Sequence, residues 1–499
     1  MMLFKYTSEK IQELEVDSLV LFVSAFDEIK DRLVKELNKA TGGGIETLLN
    51  SGEFTGKQGE VVPILWPQGY KAKRVILVGL GERKRLDPDS FRKAAGTVSR
   101  FKGLMRSKTA AFCLVDQDDK RIFQATIEGY LLGSYQLFEY KSQEADEHKS
   151  ILSEITFAVK NPRSLTRVRA AVERGVVIAE GQLLVRRLAF TPGNFLTPSK
   201  LAETAQELAR THRFSCRVLD KETIKKERMG GLLAVSKGSV EPPRFIVLKY
   251  NGGRAGQQPV VLVGKGVTFD AGGISLKNKL DMHEMKGDMA GAAAVIAAFV
   301  TAARLKLPLN LVGLIPTTEN MPSGSATRPG DVVTMRKGLT VEIINTDAEG
   351  RLILADALDY ANKFNPQAVI DIATLTGGAL YVLGYSGAPI LGNNHQLLDR
   401  IKEASDATAE QVWEMPIWDD HRERMKSPIA DLVNSGGKPA ATITASAFLE
   451  NFVGDWPWAH IDIAFCDLEP KGRPYIPKGA TGFGLRLLVE LLSNWKKLR

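Results

Sequence analysis

Acidic residues that could bind metal ions are concentrated in three short segments of the C-terminal half. The segments are 264–277, 285–291 and 345–351. Four of their carboxylates, if they meet in one cleft, would repel each other strongly, and divalent cations are the natural neutralisers. These carboxylates belong to Asp270, Asp288, Asp347 and Glu349.

Carboxylate oxygens at this density predict two divalent metal ions. Zn²⁺, Mn²⁺ and Mg²⁺ all accept such ligands, and a carboxylate shared by two ions can hold them about 3.5–4 Å apart. Each residue alone has a simpler interpretation. Asp288 and Asp347 could be helix N-caps. Glu349 could complement a helix dipole, and Asp270 could be a turn residue. Only the combination favours metal binding.

The sequence offers little support for other hydrolytic chemistry. It contains six histidines, but no two of them are spaced i, i+4 with a glutamate between them, so the common zinc-protease helix is missing. No serine lies in a Gly-x-Ser-x-Gly motif. His460 lies in a predicted strand, and we interpret it as structural.

The metal-binding segments occur where predicted strands end and helices begin. Predicted strands at 245–250, 259–264, 309–315 and 368–372 alternate with predicted helices at 288–305, 350–363 and 446–452. This βαβ alternation predicts an α/β fold whose C-terminal domain is a doubly wound mixed sheet with helices on both faces. Such sheets bind ligands at the rim where the three segments lie.

The chain is long enough for two domains. Residues 1–162 alternate short apolar runs with amphipathic stretches, which predicts a small N-terminal α/β domain. Residues 163–192 predict a connecting helix. Thr197 and Pro198 then form a typical helix start, so we expect the C-terminal catalytic domain to span 193–499.

Composition predicts a globular protein of the cytoplasm. Of the 499 residues, 44% are hydrophobic and 25% charged, which is ordinary for a globular chain. The apolar runs are shorter than the roughly 20 residues of a membrane span, and the first residues lack a secretory leader pattern. We expect the three cysteines to be reduced thiols. The basic residues that give the net charge of +8 are scattered along the chain.

Three strings resemble the leucyl aminopeptidase (cytosol aminopeptidase) family. They are VGKGVTFDAGGISLK at 263–277, ENMPSGSATRPGD at 319–331 and NTDAEGRL at 345–352. The similarity extends from residue 194 to the C-terminus, whereas the first part of the chain resembles the family only in pattern and position. The resemblance implies a two-metal aminopeptidase that removes the N-terminal residue, preferably leucine, from peptides.

The resemblance also implies a role for each residue of the metal site. One metal would be held by Lys265, Asp270, Asp288 and Glu349. The other would be held by Asp270, Asp347 and Glu349, with the main-chain carbonyl of Asp347. Lysine must lose a proton to bind a metal, and two adjacent cations would lower its pKa strongly.

Two further residues match the family's catalytic positions. Lys277 would stabilise the charge that develops on the substrate carbonyl oxygen. Arg351 would hold a bicarbonate ion that acts as general base. The nucleophile would be a hydroxide bridging two Mn²⁺ or Zn²⁺ ions, since the ions lower the pKa of water to roughly 7.

The resemblance places four residues around the pocket for the departing side chain. They are Met285, Thr374, Gly377 and Ala464. This mostly apolar lining predicts a preference for leucine-like residues. The family pattern leads us to expect a small residue after Ala464, but the sequence continues Phe-Cys-Asp.

The resemblance further implies a homohexamer that takes peptides with a free N-terminus. A DNA-binding regulatory protein is the alternative, because some relatives bind DNA and the charge of +8 permits phosphate contacts. The sequence shows no basic helix that supports it. A two-metal phosphatase shares the ion chemistry, and comparing peptide amides with phosphate esters would separate the two.

Overall fold

Apolar strands that alternate with helices form two compact α/β units. The computed structural model describes residues 2–25, 32–114, 119–137, 139–141, 150–278 and 280–498. One unit contains Met1–Glu180 and Lys471–Pro477, and the other contains Gly181–Pro470 and Lys478–Arg499. The predicted fold class, α/β with mixed sheets, is confirmed.

The N-terminal unit is built on a six-stranded sheet with the order β1-β6-β5-β2-β4-β3 among the described residues. All neighbouring strands run parallel except β3, which is antiparallel to β4. The elements are β1 (Leu3–Thr7), β2 (Ser18–Ala25), α1 (Arg32–Ala40), α2 (Gly44–Ser51), β3 (Val61–Leu65), β4 (Arg74–Glu82), α3 (Pro88–Ser99), α4 (Lys102–Met105), β5 (Thr109–Leu114), α5 (Lys120–Gly133), β6 (Glu154–Ala158) and the first part of α6 (Leu165–Phe190).

A second, sequence-distant segment belongs to the N-terminal unit. In Lys471–Pro477, the hydroxyl of Tyr475 donates to Asp89 Oδ1 at 2.9 Å, and the Arg92 guanidinium lies over the Tyr475 ring. Arg92 in turn pairs with the buried Glu128 at 3.0 Å. These buried polar groups satisfy one another, as buried charges must.

The elements of the C-terminal unit follow the rest of α6. They are α7 (Pro198–His212), β7 (Ser215–Leu219), α8 (Lys221–Lys226), α9 (Gly230–Ser236), β8 (Arg244–Asn251), β9 (Val260–Gly264), β10 (Gly266–Asp270), α10 (Ala290–Leu305), β11 (Asn310–Asn320), β12 (Val332–Thr334), β13 (Thr340–Glu342), α11 (Glu349–Ala361), β14 (Ala368–Ala373), α12 (Gly378–Leu383), β15 (Gly387–Gly392), α13 (His395–Thr408), β16 (Gln411–Glu414), α14 (Asp419–Glu423), β17 (Leu432–Val433), α15 (Ala441–Glu450), β18 (Trp458–Asp462), β19 (Leu468–Glu469), β20 (Gly479–Ala480) and α16 (Leu485–Ser493).

The main sheet of the C-terminal unit has nine strands in the described chain. Its order is β16-β15-β18-β14-β9-β11-β8-β7, and β10 pairs with the far end of β11. The four central strands β18, β14, β9 and β11 run parallel, while β8, β7 and β15 introduce antiparallel pairs. The parallel centre explains why these strands are apolar on both faces.

Helices α10 and α11 cover opposite faces of this sheet. Val261 and Val263 of β9 belong to one core with Leu352 of α11. Successive residues of a strand face opposite sides of the sheet, so Gly264 lies on the other face. A Cβ atom at Gly264 would lie 2.7 Å from the Gly291 carbonyl oxygen in α10. The sheet is therefore wound on both sides.

The segment Met282–Leu305, which includes α10, is long and apolar enough to cross a membrane. Its most apolar window is 83% buried inside the fold. Packing against the sheet accounts for its composition, as it does for the core helices of many soluble proteins.

Gly291→Ala tests the close packing of α10 on β14. A Cβ atom there would lie 2.1 Å from the Ile372 carbonyl oxygen. We expect overpacking of about 1–3 kcal/mol to outweigh the ~1 kcal/mol gain in helix propensity, so the thermal midpoint should fall. Gly324→Ala is the control, because Gly324 has open space around it. Equal midpoints for both variants would contradict this packing.

Candidate metal-binding active site

Five charged residues meet where strands end and helices begin in the C-terminal unit. Lys265 directly follows β9, Asp270 ends β10, and Glu349 begins α11. Asp288 follows the 3-10 turn Met282–Gly287, and Asp347 lies in the turn before α11. Since β9 is flanked by the parallel strands β14 and β11, these ends share one edge of the sheet.

Two lysines lie among four carboxylates. Lys265 Nζ is 2.8 Å from both Asp288 Oδ1 and Glu349 Oε1, and it also donates to the Thr374 carbonyl oxygen at 2.8 Å. Lys277 Nζ is 2.8 Å from Asp270 Oδ2 and 2.5 Å from Asp347 Oδ1. Four carboxylates against two ammonium groups leave two formal negative charges without compensation.

Some of these carboxylate oxygens have room for a further cation. Asp288 Oδ2 and Glu349 Oε2 are buried and have no hydrogen-bond partner among the described residues. Ligand oxygens of Asp270, Asp347 and Glu349 lie within 4.8 Å of one another. A buried carboxylate oxygen without a donor is costly, and divalent cations prefer oxygen ligands. The residues present therefore fit divalent metal ions.

The simpler interpretation as helix caps does not hold for two of the aspartates. The N-cap of α10 is Met289 and that of α11 is Ala348, and neither helix has a side-chain cap. The helix predicted to begin at Asp288 begins at Ala290, and Asp288 Oδ1 accepts from Thr374 Oγ1 at 2.8 Å. Both aspartates are thus left to face the cluster.

Asp270 does have the local hydrogen bond expected of a turn residue. Its Oδ1 accepts from the Gly272 amide at 2.9 Å and from Asn320 Nδ2 at 2.8 Å. Its Oδ2 faces Lys277. One oxygen fixes the orientation of the carboxylate, and the other is directed into the cluster.

The charges shift the pKa values of the cluster in opposite directions. Burial raises the pKa of Asp347 to about 6, and the negative charge of Glu349 adds to the rise. Burial also opposes ionisation of Glu349, but Lys265 and Lys277 outweigh it and lower the Glu349 pKa. Burial would lower the pKa of Lys265, but Asp288 and Glu349 raise it above its usual value.

Arg351 follows Glu349 closely in α11 but does not line the cavity of the cluster. Burial lowers the pKa of Arg351 to about 10. Its Nη1 donates to the Asn434 carbonyl oxygen at 2.9 Å, and its Nε is buried without a partner among the described residues. The guanidinium therefore keeps one donor for an additional acceptor.

The four predicted pocket residues border the same cavity as the carboxylates. Met285, Thr374, Gly377 and Ala464 line it together with Lys265, Lys277 and the four acidic residues. The structure thus brings every predicted site residue except Arg351 to one cavity.

Asp462 and Asn320 were not predicted, yet they hold the site in place. Asp462, at the end of β18, accepts from the Leu375 amide at 3.0 Å, from Thr376 Oγ1 at 2.6 Å and from the Ala464 amide at 3.2 Å. It connects the loop of Thr374 and Gly377 to the loop of Ala464. A buried aspartate at the end of a central strand was the available signal in the sequence.

The chain matches two models of one family. Residues 183–489 match the cytosol aminopeptidase family, catalytic domain, and residues 20–144 match the N-terminal domain of the same family. A "Probable cytosol aminopeptidase" of Syntrophotalea carbinolica is 45% identical over 485 residues, covering 96% of this chain and 97% of that protein. The chain belongs to the cytosol aminopeptidase family.

Other relatives agree over nearly the whole length. The Alkaliphilus metalliredigens protein of the same name is 38% identical and covers 99% of this chain and 100% of its own. Among solved structures, "Bottromycin maturation enzyme BotP in complex with Mn" is 35% identical with a TM-score of 0.83, covering 96% of this chain and 99% of its own. A point mutant of tomato leucine aminopeptidase is 30% identical with a TM-score of 0.89, covering 99% of this chain and 96% of its own.

The resemblance seen in the three strings is confirmed. Family membership makes the chain an N-terminal aminopeptidase and a metal-dependent hydrolase. The individual roles of the site residues stay predictions.

Asp462→Asn should destabilise the C-terminal unit by about 1–3 kcal/mol. The amide has only one acceptor oxygen, so buried donors among Thr376, Leu375 and Ala464 lose their partner. Chemical denaturation followed by fluorescence measures the loss. Asp455→Asn, at an exposed position, is the control and should stay within about 0.5 kcal/mol. A wild-type denaturation curve for Asp462→Asn would contradict the role of Asp462.

Proposed function

We propose that the chain is a two-metal aminopeptidase that releases the first residue of peptides with a free N-terminus. Lys265, Asp270, Asp288 and Glu349 would hold one ion, and Asp270, Asp347 and Glu349 the other. The observation that carries the proposal is the unbalanced negative charge of the cluster, with Asp288 Oδ2 and Glu349 Oε2 buried and unpartnered among the described residues. The similarity to a structure in complex with Mn supports Mn²⁺ as one suitable ion, with Zn²⁺ as the other candidate.

When bound, the ions would lower the pKa of water and polarise the peptide carbonyl group. The protein's own residues would orient the substrate. The free α-amino group of the substrate would bind one of the ions, so a blocked N-terminus should be refused. This explains why such a site trims peptide ends.

Lys277 is the residue we assign to the substrate carbonyl oxygen. Both lysines line the cavity, but the Lys277 side chain is 23% exposed, whereas the Lys265 side chain is 3% exposed and enclosed by three acceptors. A donor that reaches the cavity can stabilise charge that develops in the transition state. Lys265 is better placed to bind an ion.

Arg351 would hold a bicarbonate ion that acts as general base. Its Nε, which is buried and has no partner in the described part of the chain, supports this assignment, because an anion would satisfy the buried donor. Since Arg351 does not line the cavity, the anion would have to lie between the guanidinium and the cavity wall.

The apolar part of the lining supports leucine-like residues as substrates. Met285 and Ala464 contribute apolar surface, and Gly377 leaves space beside it. The names of the relatives support a cytoplasmic location. A homohexamer and the domain limits 1–162, 163–192 and 193–499 stay predictions.

Removal of metal should abolish hydrolysis of leucine amide. We expect activity to fall to background after chelation and dialysis and to return with Mn²⁺, Zn²⁺ or Co²⁺, because the nucleophile depends on the ions. The measurement is steady-state hydrolysis together with elemental analysis of the same sample. Full activity in protein shown to be free of metal would rule out the proposal.

Lys277→Ala and Lys265→Ala should fail in different ways. Lys277→Ala should keep both ions and lose about 10²–10³ in kcat with little change in KM, as expected for a lost transition-state donor. Lys265→Ala should lower the occupancy of one ion. The exposed Lys225→Ala is the control and should match the wild type in both respects.

Metal content and kinetics on one leucine substrate distinguish the two lysines. If Lys277→Ala loses metal while Lys265→Ala keeps it, the roles are exchanged. If neither variant loses activity, the proposed mechanism is wrong.

A further inference from the structure

A carboxylate outside the metal cluster also lines the cavity. Asp467 lies in the loop after β18, three residues beyond Ala464. Glu284 lines the cavity too, but its carboxylate is paired with Lys286 at 3.4 Å and with His283 at 3.2 Å. Asp467 forms no ion pair with any described residue. The cavity therefore contains one acidic group that belongs neither to the metal cluster nor to an ion pair with a described residue.

Backbone contacts hold Asp467 in place. Its amide donates to the Ile463 carbonyl oxygen at 3.1 Å, and its own carbonyl oxygen accepts from the Thr481 amide at 2.8 Å. Thr481 Oγ1 also donates to the Cys466 carbonyl oxygen at 2.6 Å. The backbone is thus anchored at Cys466 and Asp467, and the Asp467 carboxylate accepts a hydrogen bond from the Phe465 amide.

One oxygen of this carboxylate lies against a glycine. A Cβ atom at Gly287 would be 3.4 Å from Asp467 Oδ2, which is ordinary contact distance. Because Gly287 has no side chain, nothing at that position covers the oxygen, and Gly287 lines the same cavity. The half-buried Asp467 therefore borders the cavity on this side.

The walls around Asp467 are apolar. Phe190, Leu468 and Ala480 line the cavity beside it, and Met285 and Ala464 continue the lining toward the metal cluster. Burial raises the pKa of Asp467 to about 7, and the negative charge of Asp462 adds to the rise. A cation brought to this carboxylate would favour its ionised form and would be stabilised by it in turn.

An apolar wall that includes one acidic group is complementary to a side chain with an aliphatic stem and a cationic end. We propose that Asp467 is a specificity-determining residue that selects lysine or arginine over an apolar residue of the same stem length. The proposal rests on the aminopeptidase function proposed above, because it assigns this cavity to the departing residue. Leucine-like residues would use the apolar walls alone, and basic residues would gain Asp467 in addition.

The test compares lysine amide with norleucine amide. Both have a free α-amino group and a four-carbon side chain, so their ratio of kcat/KM isolates the terminal ammonium group. We expect the metal-loaded wild type to favour lysine amide. Asp467→Asn should lower the ratio about 10–100-fold, as expected for a lost hydrogen bond between charged groups, while norleucine hydrolysis and metal content change little.

Asp467→Ser is a second variant in case the amide disturbs the loop, and it should lower the ratio in the same way. Asp455→Asn is the control for a lost surface charge and should keep the wild-type ratio. If the wild type favours norleucine amide and neither Asp467 variant changes the ratio, Asp467 has no part in specificity, although the aminopeptidase function stands. If the metal-loaded wild type hydrolyses neither amide, the proposed function fails, and this inference fails with it.

Discussion

Mutual repulsion of four carboxylates in one buried cleft is the constraint on which the site depends. Asp270, Asp288, Asp347 and Glu349 are held together although only two lysines compensate their charge. In a region of low dielectric such a group is costly unless cations balance it. The fold must therefore supply the energy that brings these residues together, and the ions recover part of it.

The sheet supplies that energy through packing on both faces. Helices α10 and α11 lie on the two sides of β9. Gly264 and Gly291 have no side chains, and this lets α10 approach the sheet closely. Gly350 has the same effect at the start of α11, where a Cβ atom would lie 2.7 Å from Lys265 Cε. Dense packing leaves the cluster little freedom to relax its repulsion by moving apart.

Family membership and this packing together limit what the site can do. A metal-dependent aminopeptidase needs a cavity with an end that accepts an amino group and a wall that accepts one side chain. In the proposed function, ions held by the carboxylates would bind the amino group, and the loops joined by Asp462 would border the side chain. If Asp467 selects the departing side chain as proposed, variation in the loop of Phe465 and Asp467 would change the accepted residue and leave the metal-binding residues unaltered.

Sequence patterns predicted the parts of the site that depend on local structure. The apolar run of β9 placed the first motif at a strand end, and the motif before α11 placed Asp347 and Glu349 at a helix start, whereas Lys265 came from the family resemblance. The cap interpretation of Asp288 and Asp347 was wrong, because which residue caps a helix depends on backbone angles that spacing does not reveal.

Pairings between residues far apart in the chain could not be found from the sequence. Asp462 accepts hydrogen bonds from Leu375 and Thr376, 87 and 86 residues away in the chain, and Asp467, which lines the cavity, is bonded through its carbonyl oxygen to the Thr481 amide. The segment Lys471–Pro477 joins the N-terminal unit through Tyr475 and Asp89, which are 386 residues apart. No periodicity or motif encodes such pairings.

Metal stoichiometry tests the central claim most directly. Elemental analysis of metal-loaded protein after gel filtration should give two divalent ions per chain, and Glu349→Gln should lose both, because a neutral amide cannot balance two dications. The exposed Glu403→Gln should keep the wild-type content. An active wild-type enzyme without bound metal, or a Glu349→Gln variant that retains two ions per chain, would contradict the account.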